Sequence, residues 1–313
     1  MDHDHAYKLL FSHAEMVADL LRGFVHEDWV ARVDFSTLEK CNGHYVSDRL
    51  RRREDDVVWR VRLRDQWLYI YLLLEFQSIP DPWMALRMLV YVGLFYQDLV
   101  RSKQLAPDGR LPPVLPLVLY NGLPVWTAPL DIEAMLTPSP GGLEKYRPSL
   151  RYLLLDEGRI DAHETLELRN LVAALFKLEQ GRAPADLLKV VRPLRAWLSA
   201  PEQASLRRAF AKWLEQILRS GRMPDLDYTP IHDLEEAETM LAERVKQWTE
   251  EWKQQGLREG RQEGRQEGRQ ETQRAIARSL LDIIADDALL AERTGVPLEE
   301  VEAMRREAAA TSH

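Results

Sequence analysis

The sequence predicts an α/β fold in which helices flank a mixed β-sheet and an all-helical C-terminal extension follows. Residues 56–77 have the period-two pattern of two antiparallel strands joined by a tight turn. Residues 113–120 form a short apolar run after a helical segment, which indicates a buried strand parallel to the strand before that helix. From about residue 161 the pattern is helical. Together these observations predict antiparallel and parallel strands in one sheet.

The composition is typical of a folded globular protein. The chain has 313 residues, of which 45% are hydrophobic, and a formal net charge of −8, so the whole molecule lacks the basic character of many nucleic-acid-binding domains. We find no apolar run of about 18 residues and no basic, then apolar, start typical of a signal peptide. Cys41 is the single cysteine, which excludes an internal disulfide. We therefore expect a cytoplasmic protein with no membrane segment and no organic cofactor.

The N-terminal segment is predicted to form one amphipathic helix. Apolar side chains recur at helical spacing between residues 4 and 25, and Gly23 marks the predicted end. Lys8 lies on this helix.

The register of the hairpin is predicted from burial. If Arg64 faces Trp67, then Asp56 pairs with Glu75, and both carboxylates project from one polar face. The opposite face is then wholly apolar and consists of Val57, Trp59, Val61, Leu63, Leu68, Ile70, Leu72 and Leu74. A slip by one residue would mix polar and apolar side chains on both faces, so burial favours this register.

Two further strands and a helix are predicted after the hairpin. The helix extends from about Trp83 to Ser102 with Asp81 as its expected N-cap, and it is apolar almost all round. The strand at 113–120 follows, and residues 151–155 form one more strand after a loop rich in proline and glycine.

The C-terminal part differs in composition from the rest. A charged helical stretch from about Ile231 to Gln255 leads into a four-residue repeat, Gly256-Leu-Arg-Glu followed by three copies of Gly-Arg-Gln-Glu. Each glycine costs a helix about 1 kcal/mol relative to alanine, so we predict a solvated, marginal helix or tether. Two short helices, at 275–284 and 298–306, are predicted to end the chain and to mediate homo-oligomerisation or docking of a partner.

These boundaries divide the chain into four predicted regions. They are a core at 1–160, a helical extension of that core at 161–230, a charged helix and repeat tether at 231–273, and a small helical pair at 274–313.

Asp56 and Glu75 are the candidate metal ligands. Directly opposed residues in a hairpin have Cβ atoms about 4.5–5.5 Å apart, and two carboxylates at that spacing need a cation, a shared proton or full exposure to solvent. Gln77 projects from the same face. Mg²⁺ binds through one or two carboxylates together with water and phosphate oxygens, so we expect Mg²⁺ here, with Mn²⁺ or Ca²⁺ as substitutes.

Arginines precede and enter the hairpin, and four of them are candidate contacts to DNA phosphates: Arg52, Arg53, Arg60 and Arg62. Such contacts would hold a phosphate backbone without reading bases. The alternative is that these arginines pack and form ion pairs within the protein, and the sequence leaves both interpretations open.

Several segments together resemble one known family. They are residues 4–11 (Asp-His-Ala-Tyr-Lys-Leu-Leu-Phe), 56–61 (Asp-Val-Val-Trp-Arg-Val), 72–78 (Leu-Leu-Leu-Glu-Phe-Gln-Ser), the helix at 84–91 and 117–122 (Leu-Val-Leu-Tyr-Asn-Gly). Over about residues 1–230 the chain resembles the recombination-promoting nucleases, also described as YhgA-like putative transposases.

The resemblance implies a restriction-endonuclease-like core of the PD-(D/E)xK superfamily. It implies that Asp56 is the metal-binding aspartate and Glu75 the second carboxylate. Gln77 stands where the superfamily usually has lysine, and glutamine can orient water by hydrogen bonding but supplies no positive charge. Lys8 is the candidate for that missing charge.

Two functions follow as hypotheses. The first is a Mg²⁺-dependent DNA endonuclease of low sequence specificity, associated with recombination, mobile elements or phage defence. The second is a catalytically impaired scaffold or DNA-binding protein that keeps the nuclease fold and acts through its helical tail.

Overall fold

Five strands form one sheet in the order β1-β2-β3-β4-β5. They are β1 (Val33–Lys40), β2 (Asp56–Leu63), β3 (Gln66–Glu75), β4 (Val114–Tyr120) and β5 (Leu153–Asp156). The pairs β1–β2 and β2–β3 are antiparallel, whereas β3–β4 and β4–β5 are parallel. The predicted α/β fold with a mixed sheet is therefore confirmed.

The computed structural model describes residues 3–41, 56–75, 79–122, 124–138, 141–160, 169–219 and 230–311. Within these ranges the side chains of residues 3, 4, 56, 73–75 and 309–311 are also outside the description. The chain divides into two compact units, Met1–Arg244 and Val245–His313. No helix in the described part of the chain is long and apolar enough to cross a membrane.

Nine α-helices are found within the described ranges. They are α1 (His3–Leu10), α2 (Ala14–Phe24), α3 (Met84–Arg101), α4 (Leu171–Gln180), α5 (Pro184–Trp197), α6 (Ala204–Arg219), α7 (Leu234–Leu280), α8 (Asp287–Thr294) and α9 (Leu298–Thr311). Helix α3 connects β3 to β4, so the predicted crossover between parallel strands is confirmed.

The two faces of the sheet are covered differently. On one face, here called the α1 face, the strands pack against α1, α2, α4, α5, α6 and the start of α7 in one large apolar cluster. On the other, the α3 face, Tyr69, Tyr71 and Tyr120 pack against α3 in a second cluster rich in aromatic rings. The apolar residues predicted for one hairpin face lie in the first cluster, where the described ones are Val57, Trp59, Val61, Leu63, Leu68, Ile70 and Leu72.

The register of the hairpin differs from the predicted one by two residues. Asp56 pairs with Leu73 instead of Glu75, and Leu63 pairs with Gln66 across a two-residue loop. Arg64 makes this short loop possible by adopting a positive φ of 54°, a conformation that sequence patterns indicate mainly for glycine, asparagine and aspartate. Because the shift is an even number of residues, each residue keeps its predicted face.

The face predicted to be polar is largely an aromatic core. Tyr69 and Tyr71 are buried under α3, with Tyr69 edge-on to Phe95 at 5.4 Å between ring centroids. Val58 is buried in the same cluster. Tyrosine presents an apolar ring and a polar hydroxyl, and packing against α3 uses the ring.

The N-terminal segment forms two helices where one was predicted. Helix α1 ends at Leu10, and the Ser12 hydroxyl donates to the Lys8 carbonyl at 2.6 Å while His13 Nδ1 lies 3.0 Å from the Leu9 carbonyl. Short polar side chains that bond to the backbone compete with helix continuation. Helix α2 then continues past Gly23 to Phe24.

Helix α3 begins at Met84, and its N-cap residue is Trp83 instead of the expected Asp81. The Asp81 carboxylate still organises the helix start, because Oδ1 accepts from the Trp83 amide at 2.8 Å and Oδ2 pairs with Arg87 at 2.8 Å.

The glycine repeat is helical throughout. Residues 256–271 lie within α7 and are exposed, and a Cβ built on Gly256, Gly260, Gly264 or Gly268 would meet no atom within 4 Å. The end of the chain also differs from the predicted helix pair, because α8 forms between the two expected helices. Its Leu290 packs in a small core with residues from the end of α7 and from α9.

Candidate metal and DNA-binding site

Asp56 and Glu75 lie at the same edge of the sheet. Asp56 is the first residue of β2, and Glu75 is the last residue of its antiparallel neighbour β3. Since Asp56 pairs with Leu73, position 75 is the diagonal neighbour of position 56, for which Cβ separations are about 7–8 Å or somewhat less. The backbone therefore places the two positions near each other on the same face of the sheet. They are not directly opposite each other, although direct opposition had been predicted.

Next to Glu75, the paired residues of the two parallel strands β4 and β5 also have polar side chains. Glu75 pairs with Tyr120 in β4, and Tyr120 pairs with Asp156 in β5. Tyr120 is buried and donates its hydroxyl to the Pro124 carbonyl at 2.9 Å. The Asp156 side chain is 11% exposed, and Arg159 lies 3.7 Å away. The carboxyl ends of β3, β4 and β5 thus place two acidic positions on either side of a structural tyrosine.

The donor set at positions 56 and 75 fits a hard divalent cation. Two carboxylates on adjacent strands leave coordination positions for water and phosphate oxygens, as Mg²⁺ requires. Among the side chains that the structure describes, no group of three or more histidine, cysteine, aspartate or glutamate residues could hold a metal.

Three of the other predicted site residues, Gln77, Arg52 and Arg53, lie outside the described residues. Lys8 is half-buried on α1, and α1 packs on the α1 face through Tyr7 and Leu10. By strand alternation, positions 56 and 75 belong to the opposite face. The catalytic role of Lys8 stays a prediction.

Arg60 and Arg62 are engaged within the protein. Arg60 donates to Glu39 Oε2 through Nε at 3.0 Å and Nη2 at 2.7 Å. Arg62 lies over the Trp67 ring, with 4.0 Å from its guanidinium carbon to the ring centroid, and donates to the Asp65 carbonyl at 3.2 Å. Both interpretations from the sequence retain support, because these contacts leave further guanidinium N–H groups unused.

A buried polar network, which the sequence analysis missed, lies beyond the ends of β4 and β5. The Tyr7 hydroxyl is 3.1 Å from Glu157 Oε2 and also contacts Glu179 Oε2. Asn121 Nδ2 donates to Glu179 Oε1 at 3.4 Å. Burial, followed by the charges of Glu157 and Glu179, raises the pKa of Tyr7 well above its usual value. The network ties α1 and α4 to the loops that follow the two parallel strands.

Partial signals for this network exist in the sequence. Tyr7 lies among apolar residues in the first predicted helix, and Asn121 and Glu157 each follow a predicted strand. Glu179 comes 172 residues after Tyr7, and no local pattern indicates that these two meet.

Cys41 is not suited to be a nucleophile. Burial raises the pKa of its thiol to about 12, so the reactive thiolate is scarce at neutral pH.

Comparison with known proteins confirms the family resemblance. The family model for YhgA-like putative transposases matches residues 1–207. The chain is 28% identical over 120 residues to the recombination-promoting nuclease RpnD of Escherichia coli O157:H7, a match covering 38% of this chain and 45% of that protein. It is 31% identical over 121 residues to the recombination-promoting nuclease RpnA of Escherichia coli K12, covering 39% and 40%.

One relative carries a different description. The inactive recombination-promoting nuclease-like protein RpnE of Escherichia coli K12 is 30% identical over 120 residues, 38% of this chain and 39% of that protein. The chain thus spans less than half the length of each of these three relatives. No solved structure matches.

Proposed function

Because the chain belongs to the family of YhgA-like putative transposases, we propose that it is a metal-dependent DNA endonuclease of low sequence specificity. We propose that it acts in recombination, mobile-element biology or phage defence. The observation that carries the proposal is the placement of Asp56 and Glu75 at one sheet edge and in one face series, in a chain with relatives named recombination-promoting nucleases.

In this proposal Asp56 and Glu75 hold Mg²⁺, for which Mn²⁺ or Ca²⁺ could substitute in binding. Asp56 and Glu75 would hold the ion where it could polarise the scissile phosphate and neutralise charge on the leaving oxygen. Gln77 orients the attacking water by hydrogen bonding, and Lys8 supplies the positive charge that lysine provides in the wider superfamily. A Lys8→Ala protein that cleaves as fast as wild type would remove Lys8 from this account.

The arginines have a separate role in the proposal. Arg52, Arg53, Arg60 and Arg62 hold phosphates that flank the scissile bond, through charge-assisted hydrogen bonds that position the strand without reading its sequence. This role accounts for a basic segment in a chain with a net charge of −8.

The decisive experiment is nicking of supercoiled plasmid by the wild-type protein and by Asp56→Ala, each with Mg²⁺ and with a chelator. We expect Mg²⁺-dependent nicking by the wild type and a loss of about 10²-fold or more in the variant, the range seen when a key electrostatic group is removed. Asp28→Ala, which changes an exposed carboxylate in the loop after α2, is the matched control and should nick normally. Absence of metal-dependent nicking, or equal nicking by Asp56→Ala, would contradict the nuclease proposal.

A second candidate is a catalytically impaired scaffold or DNA-binding protein that acts through its helical tail. The description of RpnE as inactive favours it, as does Gln77 at the position of the usual lysine. In that case the wild type should shift DNA in a gel without cleaving it. If Gln77 is the cause of the impairment, Gln77→Lys should gain Mg²⁺-dependent nicking; continued inactivity would remove Gln77 as the explanation.

We also propose that the protein acts in the cytoplasm and self-associates through its C-terminal helices. The helices of this region share a small apolar core around Leu290 and Val301, and a charged, exposed helical surface precedes it. Light scattering of the full chain tests self-association, because a monomer mass at micromolar concentration would contradict it.

A further inference from the structure

A cavity of about 310 Å³ lies at the turn end of the β2–β3 hairpin. It opens between the hairpin and the segment that connects α3 to β4. Its lining includes Arg60, Arg62, Asp65, Trp67, Tyr69 and Gln104, together with apolar residues of that segment. Asp56 and Glu75 are at the opposite end of the hairpin, so this cavity is separate from the candidate metal site.

One wall of the cavity is cationic. The Arg62 guanidinium is stacked on Trp67 and uses Nη1 to reach the Asp65 carbonyl at 3.2 Å. No carboxylate within the described ranges forms an ion pair with Arg62. Arginine carries five N–H groups in a planar fork, and the contact with the Asp65 carbonyl uses one of them.

Arg60 has a different part in the same wall. Its guanidinium lies 4.7 Å from the centre of the Trp67 ring and forms a salt bridge with Glu39 at 2.7 Å. The exposed Asp65 side chain adds a negative charge at the rim. Among the described residues, Arg62 is the guanidinium of this wall that forms no ion pair with a carboxylate, and the negative charge of Asp65 opposes it.

The rest of the lining is mostly apolar. Trp67 is half-buried, and the same cavity is lined by Leu105, Ala106, Pro107, Pro112 and Pro113. Tyr69 donates its hydroxyl to Gln104 Oε1 at 3.2 Å, which leaves the Gln104 amide N–H groups as donors. An aromatic ring beside a cationic groove stacks on bases of any sequence, and amide donors can meet the base edges.

We propose that this cavity binds one unpaired nucleotide, with its phosphate on Arg62 and its base between Trp67 and the proline-rich wall. The volume is at the low end of the roughly 300–1,000 Å³ found for small-molecule sites, a size that suits one nucleotide. Arginine recognises phosphate through parallel charge-assisted hydrogen bonds. The ligand is a free mononucleotide or an unpaired nucleotide of a DNA strand, and the second source rests on the proposed function.

The test is calorimetric titration of the full-length protein, in chelator, with deoxyadenosine 5′-monophosphate, deoxyadenosine and inorganic phosphate. We expect saturable binding of the mononucleotide and at least about tenfold weaker binding of either part alone. Arg62→Gln should weaken mononucleotide binding by about tenfold or more, and Asp65→Asn should strengthen it severalfold because a repelling charge is removed. These opposite signs are not expected from a merely structural role of the turn.

The proposal is overturned if the mononucleotide shows no saturable binding, if Arg62→Gln binds as the wild type does, or if inorganic phosphate binds as tightly as the mononucleotide. Should circular dichroism show that Arg62→Gln is unfolded, Asp65→Asn decides, since its side chain is exposed in the turn; an unchanged affinity then overturns the proposal.

A competition experiment separates the two sources of the nucleotide. Displacement of the mononucleotide by a short 5′-phosphorylated single strand, and not by the same sequence in a blunt duplex, supports a DNA strand as the ligand. If neither displaces it, a free nucleotide is the ligand; equal displacement by the duplex would contradict an unpaired nucleotide. All these measurements are made without cleavage, so their failure is distinct from a failure of Asp56-dependent nicking.

Discussion

The two faces of the sheet are built from alternate residues of the same strands, yet their surroundings differ. On the α1 face, Val61, Ile70 and Leu72 are completely buried and pack against residues from several helices. On the α3 face, Tyr69 and Tyr71 pack against α3 at the middle of the hairpin, while Asp56, Glu75, Arg60 and Arg62 occupy positions of the same face series toward its ends.

This difference indicates a division of roles. A wholly apolar face under several helices resists any change of volume, because protein interiors are packed as tightly as organic crystals. The α3 face has polar residues at both ends of one aromatic core, so chemistry can be placed there without disturbing the main cluster. We infer that stability comes mainly from the α1 face and function mainly from the α3 face.

The largest effect is expected from a matched pair of substitutions in β2. Val61→Ala removes two methyl groups from the α1 face and should lower the free energy of unfolding by about 2–3 kcal/mol, since burial and cavity terms add. Val58→Ala, the same change on the α3 face, should cost less because Val58 lies in the smaller cluster and is 6% exposed. Urea denaturation of both variants measures the difference. Equal losses would contradict the proposed division.

Tyr7→Phe tests the buried polar network of Tyr7, Glu157 and Glu179 on the α1 face. The variant keeps the ring but removes the hydroxyl that lies between Glu157 and Glu179. Glu157 is only 4% exposed. Removing a hydrogen-bond donor from a buried carboxylate lowers the free energy of unfolding by about 1–3 kcal/mol. The same denaturation experiment gives the value, and unchanged stability would show that the network adds nothing to the fold.

Tyr69→Phe is the corresponding change on the α3 face. It removes the 3.2 Å hydrogen bond to Gln104 and leaves the ring contact with Phe95 in place. We expect a loss of about 0.5–1.5 kcal/mol, as for an ordinary hydrogen bond. A loss larger than that of Tyr7→Phe would reverse the comparison between the faces.

The smallest effect concerns the pH dependence of stability. Burial raises the pKa of Asp19 from 3.8, even though its Oδ2 accepts from the Leu171 amide at 2.7 Å. The folded state therefore holds this proton more tightly than the unfolded state, and stability falls as pH rises from 3.8 toward the raised pKa. Asp19→Asn should reduce this fall. Unfolding curves measured across that range check the sign, and a steeper fall in the variant would contradict it.

Much of the sheet was predictable because its signals are local. The alternation along residues 56–75 and the apolar run at 113–120 identified three strands and their directions, and both are confirmed. Strand β1 was missed, although Val33, Phe35 and Thr37 alternate with polar residues. An irregularity in its pairing between Asp34 and Glu39 shortens that alternation.

The sequence identified the residues of the candidate site but not which of them lie opposite each other across the hairpin. Glu75 could be paired with a partner only by assuming a turn, and the assumed Arg64–Trp67 pairing is wrong because residues 64–65 form the two-residue loop instead of residues 65–66. Arg64 adopts a positive φ, and an arginine in the sequence does not indicate this conformation. The network of Tyr7, Glu157 and Glu179 was not predictable, because its members meet only after β5 and α4 are packed against α1.

The sequence by itself determined the family, the strands of the hairpin and the face to which each residue belongs. Side chains alternate with a period of two, so an error of two residues in register leaves every face assignment unchanged. The tertiary structure decided which partner each residue meets and how deeply each face is buried. Tyr69 and Tyr71 look polar in the sequence and are core residues in the fold, because α3 covers their rings and burial of aromatic surface outweighs the cost of enclosing a hydroxyl group that is hydrogen-bonded.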